Sequence, residues 1–141
     1  DSDNICLYFD SISKTKSLFP KERYWDCMTM ISVANGIMEN AVNRFIEISA
    51  LPEAEQRPVA IERFEKKILR SISWIENKFD EFAKKEISMD QIAVACALDY
   101  TSLRLSSEWK EQSPKLTEWL ELITENEYMK NTLPGESFKY E

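Results

Sequence analysis

Asp1 and Ser2 head a run in which Ile5, Tyr8, Phe9 and Ile12 recur at spacings of three and four. A carboxylate and a hydroxyl therefore stand where a helix begins. The first turn of a helix offers free N–H groups and the positive end of a dipole, and both hold an anion such as a carboxylate. The plainer role of the same pair is an N-cap, with a side-chain oxygen satisfying those N–H groups; the two roles are compatible. A second constellation is Ser88-Met89-Asp90-Gln91, which has the spacing of a capping box. Ser88 is expected to accept from a first-turn N–H while Gln91 reaches back. The chain has no histidine. That removes Ser-His-Asp and Cys-His catalysis, His-ligated metals and a His general base from it.

Cys6, Cys27 and Cys96 are odd in number and scattered, each in an apolar helical stretch. They read as reduced, buried thiols of a cytoplasmic protein, and no spacing among them fits a metal site. The net charge is −7 over 141 residues. Such a surface repels a polyanion, so no nucleic-acid partner is expected. The nearest thing to a basic patch, Arg63, Lys66, Lys67 and Arg70, reads as the solvated face of a helix. No apolar run approaches the length of a membrane span, and no membrane partner is expected.

Two glycines in the whole chain leave too few turn residues for an all-β fold, so the fold class is all-α. Residues 2–13 read as a short helix, and 14–17 as a polar linker. Pro20 sits at or just inside the start of a long helix, where its missing N–H costs nothing. That helix carries Trp25, Met28, Ile31, Met38, Val42, Phe45 and Ile46, with Cys27, Met30, Val33, Ile37 and Ala41 in the adjacent row. So wide an apolar surface implies packing on more than one side. Gly36 in its middle costs roughly 1 kcal/mol relative to Ala, and close backbone approach of a neighbour is the expected compensation. Glu39, Arg44 and Glu47 read as its solvated face.

Leu51-Pro52 stops the long helix and Pro58 opens another. There Ile61, Phe64, Ile68, Ile72, Ile75, Phe79 and Phe82 step by three and four without a break. Two long helices joined by a short loop form an antiparallel pair. Ile92 to Leu98 is apolar all round, as in a buried central helix; a strand is the alternative, and the three alanines with the Ser88 cap argue for helix. Pro114 starts a further helix with Leu116, Trp119, Leu120 and Ile123 inward, and residues 127–130 form a last turn. Trp74, Trp109 and Trp119 read as packing anchors, and Asp99 as a cap or an internal pair.

The order acidic-Ser-x-x-Ile-x-x-Tyr-aromatic, Leu18-Phe19-Pro20, Ala34-Asn35-Gly36-Ile37, Ser88-x-x-Gln91-Ile92-Ala93, Pro114-x-Leu116-x-x-Trp119 and Thr132-x-Pro134 resembles the cytosolic glutathione S-transferases. It covers residues 1–134 and corresponds to the last helix of their thioredoxin-like half plus their helical C-terminal half. One departure is Gln91, where the family usually has Asp. The resemblance implies a helical bundle of the glutathione S-transferase C-terminal type. It divides the chain into 1–17, the last helix and linker of a truncated thioredoxin-like domain; 18–134, the helical C-terminal domain; and 135–141, a loose tail.

By the same resemblance Asp1 and Ser2 receive the γ-glutamyl end of glutathione, the co-substrate. Arg23, Tyr24, Cys27 and Met28, at the first turns of the long helix, line the pocket for a small hydrophobic electrophile. The implied reaction is glutathione conjugation or peroxide reduction by a homodimer, with no metal and no catalytic residue in this chain. The group that activates the thiol belongs to the thioredoxin-like half, so the chain alone is expected to be inactive. The alternative is a non-catalytic protein-interaction module of the same shape.

Overall fold

The computed structural model describes residues 1–83 and 86–132. Among them are eight α-helices and no strand: α1 (Ser2–Ile12), α2 (Tyr24–Ser49), α3 (Pro58–Asn77), α4 (Phe79–Phe82), α5 (Met89–Arg104), α6 (Trp109–Gln112), α7 (Pro114–Thr124) and α8 (Glu127–Lys130). Short 3₁₀ turns at Lys21–Arg23 and Glu53–Glu55 lead into α2 and α3. The apolar run expected through Phe82 breaks at Lys78, which leaves helical geometry and separates α3 from α4. The expected boundary at 134 and the tail 135–141 lie outside the described residues.

α2 is the spine. Its most extensive contacts are with α5 on one side and α3 on the other, as its two apolar rows require. α3 turns Ile68, Ile72 and Ile75 onto it, each at most 1% exposed. Truncating any of them to Ala costs about 2–5 kcal/mol. α2 and α3 run antiparallel, because Arg44 pairs with Glu65 and Glu47 with Arg57. Arg44 and Glu47 are therefore not a solvated face: they clamp one helix to the other. The buried Glu47 carboxylate accepts from the Arg57 backbone N–H at 2.8 Å and from its guanidinium at 2.9 and 2.6 Å. These bonds hold the carboxylate below the usual range and fix the connection between the two helices.

α5 fills the centre with Ala93, Val94, Ala95, Ala97 and Leu98. Small side chains let it approach α2 closely, and its buried face is why the segment reads as apolar all round. Trp109 and Trp119 belong to the core. Trp74 does not: it is 39% exposed, in the wall of a cleft shared with Thr29 and Met30 of α2. Cys27 is buried, Cys6 half-buried and Cys96 exposed, so burial of all three thiols fails at Cys96.

The expectation for Gly36 also fails. A Cβ placed there meets nothing within 4 Å, so no neighbouring backbone approaches it. The Asn40 amide instead donates back to the Gly36 carbonyl at 2.6 Å. α7 is capped from a distance. The Glu76 carboxylate of α3 accepts from the backbone N–H groups of Lys115 and Leu116 at 3.1 and 3.0 Å, because Pro114 and its neighbours supply no side-chain cap of their own.

Candidate functional site

Asp1 occupies the N-cap of α1, and its carboxylate accepts from the Ser2 backbone N–H at 2.7 Å. Both residues are exposed, leaving the head of the helix open to an anion. α1 buries no residue of its own, and Ile5, Tyr8, Phe9 and Ile12 are each more than half exposed. Polar ties hold it in place. The Asn35 amide donates to the Asp3 carboxylate at 2.7 Å. At the other end Asp10 accepts from the Ser17 hydroxyl at 2.6 Å and from the Leu18 N–H at 2.7 Å. The head of α1 thus lies beside the middle of α2.

That geometry separates the expected halves of the site. Arg23 to Met28 stand 7 to 12 residues before Asn35, about 10–18 Å along the helix axis at 1.5 Å per residue. Arg23 is committed elsewhere. Its guanidinium donates to the fully buried Asp90 at 2.5 and 3.3 Å and to Ser88 Oγ at 2.6 Å. The hydrogen bond to Asp90 raises the Arg23 pKa above its usual value. Cys27 is 0% exposed and cannot meet a substrate; burial, and then the charge of Asp90, push its thiol up to about 11. Tyr24 and Met28 are half-buried and pack against the core. Arg23 and Cys27 thus join the entry of α2 to Asp90 at the start of α5.

The capping box is rebuilt by the same network. Ser88 stands at the N-cap of α5 but makes no side-chain cap bond. Its hydroxyl donates to Asp90 at 2.6 Å while accepting from Arg23. Gln91 donates to the carbonyls of Phe82 and Glu86 at 3.1 and 2.9 Å and so holds the α4–α5 connection. A buried carboxylate with a guanidinium in reach outcompetes a neutral backbone N–H for the serine.

A pocket of about 200 Å³ opens instead between Met38 of α2, Asp99 and Tyr100 of α5, Thr124 of α7 and Met129 of α8. Met38 is one turn beyond Asn35 on α2, so the pocket lies on the Asp1–Ser2 side of the bundle. Thioethers and an aromatic ring make adaptable apolar walls. In sequence these residues looked like ordinary members of four separate helical faces. Only the packing of α2, α5, α7 and α8 gathers them. A narrower cleft beside Trp74 has the Arg23–Asp90 and Lys78–Glu81 ion pairs in its walls, and those charges are already matched. Among the described residues no group of side chains is arranged to hold a metal ion, and no helix is long and apolar enough to cross a membrane.

No family model matches the sequence, and no curated protein matches it. Solved structures do. A glutathione transferase family member from Pseudomonas fluorescens Pf-5 with bound S-(propanoic acid)-glutathione superposes with a TM-score of 0.91 at 26% identity, over 96% of this chain and 71% of that one. The same protein with bound glutathione gives 0.92 at 26% identity, over 96% and 67%. A glutathione S-transferase from Methylobacillus flagellatus KT with GSH bound gives 0.88 at 26% identity, over 96% and 69%. Helix order, the buried α5 and these superpositions agree: the chain has the glutathione transferase family fold, as an all-helical bundle of its C-terminal type.

Proposed function

We propose that this chain is the helical part of a glutathione transferase. The head of α1, with Asp1 and Ser2, receives the γ-glutamyl end of glutathione, and the pocket at Met38, Tyr100 and Met129 receives a small apolar electrophile. One observation carries the reading. Three structures matching 96% of the chain at 26% identity each hold glutathione or an S-substituted glutathione. The exposed N-terminus of α1 supports it, since free N–H groups and the helix dipole suit a carboxylate, and Asp1 suits the neighbouring ammonium.

In conjugation the thiolate sulfur of glutathione forms a bond to the electrophilic carbon, and the displaced group leaves with its electron pair. Lowering the thiol pKa requires a donor or a positive charge aimed at sulfur. Asp1 would do the opposite, and no histidine is available. The role of this chain is therefore binding and orientation, and alone it is expected to conjugate nothing. A homodimer in the cytoplasm is part of the same proposal.

The test is retention of the native protein on immobilised glutathione, with elution by free glutathione. Retention that falls about tenfold with Ser2→Ala supports the site. Flow-through of the unmodified protein overturns the reading and favours a non-catalytic interaction module.

A further inference from the structure

Asp99 is half-buried in the wall of the pocket formed with Met38, Tyr100 and Met129. The other walls are two thioethers, a phenol ring, the Cys96 thiol and the side chains of Thr124 and Thr132. Among the described residues no lysine or arginine lines the pocket. Among the described residues no hydrogen bond or ion pair engages the Asp99 carboxylate, and with them it neither caps nor pairs. Its electrostatic neighbour is the Cys96 thiol, whose thiolate is disfavoured first by desolvation and then by Asp99 itself. Cys96 thus offers no cation and no competing anion. A carboxylate beside apolar walls is favoured when a donor or a positive charge comes to it, and Asp99 lines this cavity.

We infer that this pocket selects an apolar, ring-sized molecule bearing a cationic or hydrogen-donating end, which Asp99 receives. An apolar cavity of about 150 Å³ holds benzene, so about 200 Å³ has room for a benzene ring with one short substituent. The inference deepens the proposed function and rests on it for the word electrophile: the substrate class becomes aromatic electrophiles with a basic or amide-bearing end. Anionic aromatics are disfavoured by Asp99 and by the net charge of −7. Asp99 is a specificity-determining residue that touches the bound molecule away from the reacting carbon.

The experiment needs no glutathione. The full chain, labelled at its methionine methyl groups, is titrated with benzylammonium, toluene or benzoate and followed by NMR at Met38 and Met129. Benzylammonium is expected to shift both methyl signals and to bind about tenfold more tightly than toluene, a difference of about 1.4 kcal/mol; benzoate is expected to leave them unmoved. In Asp99→Asn the ammonium preference should shrink to within about twofold while toluene binding persists, which also shows that the variant is folded. The inference is overturned if benzoate binds as tightly as benzylammonium, if Asp99→Asn keeps the preference, or if no probe moves either signal. Failure of glutathione retention would leave a positive result here standing, so the two failures are separable.

Discussion

Replacing Arg23 by Met keeps most of the side-chain length and removes the guanidinium. Asp90 would then remain fully buried, with the Ser88 hydroxyl at 2.6 Å and the neutral Cys27 thiol beside it but no cation. Breaking a buried pair from one side costs about 3–5 kcal/mol, because the surviving charge is left uncompensated. The Arg23 side chain is 14% exposed and that of Asp90 1%. Water reaches the arginine end, so the lower figure, about 3 kcal/mol, is expected. With a urea slope of about 2 kcal/mol/M, the unfolding midpoint should fall by about 1.5 M. The transition can be followed by tryptophan fluorescence, since Trp109 and Trp119 are both in the core. Asp90→Asn leaves the guanidinium partly wetted and should cost less. The double variant should cost less than the two singles together by at least about 1.5 kcal/mol, as groups in one network do. A midpoint shift under 0.5 M for Arg23→Met, or additivity within about 0.5 kcal/mol, would refute the idea that this pair organises the entry of α2 against α5.

Cys27 makes stability depend on alkaline pH. Burial raises its folded pKa to about 11, above the usual thiol value, so the folded state holds its proton longer than the unfolded one. Its contribution is fully present below about pH 9, declines between 9 and 11, and totals about 2–3 kcal/mol at 1.36 kcal/mol per unit; chemical unfolding at pH 8 and 10.5 should show a decline that is smaller in Cys27→Ala, where the raised Cys96 thiol remains. Glu76→Ala removes both acceptors from the head of α7 and should cost about 1–2 kcal/mol, read as a lower urea midpoint. Gly36→Ala places a methyl in open space on a helix interior and should stabilise by about 0.5–1 kcal/mol; a lower thermal midpoint would show that the space is needed. Phe9→Glu on the exposed face of α1 should weaken concentration-dependent association of this chain in sedimentation equilibrium, and an unchanged profile would remove that face as a contact surface.

Periodicity made the helices legible. Ile68, Ile72 and Ile75 repeat at the period of one helical face, Pro58 and Pro114 mark starts, and the three alanines in the apolar run of α5 favour a central helix over a strand. What periodicity does not encode is which turn of one helix faces which turn of another. The pairing of Asn35 with Asp3 sets the head of α1 against the middle of α2, about two to three turns of helix beyond Arg23–Met28. Charges that act across elements leave no local pattern either. Arg23 and Asp90 are 67 residues apart in sequence, and Glu76 reaches α7 across 39 and 40. Cys96 was misjudged because an apolar helix does not announce which of its small side chains faces a cavity.

α1 docks without burying a residue, and this bears on how the molecule breathes. Segments with few buried contacts open at free energies far below that of global unfolding. The amides of α1 should therefore exchange with solvent hydrogen early, while those of α2 and α5 exchange only as the bundle unfolds. A ligand seated at the head of α1 can bind only the docked state. By linkage it raises the opening free energy by RT ln(1 + [L]/Kd). Exchange protection along Ser2–Ile12 would then rise with occupancy while the central helices stay unchanged, so a lightly anchored helix would report on a ligand held at its head.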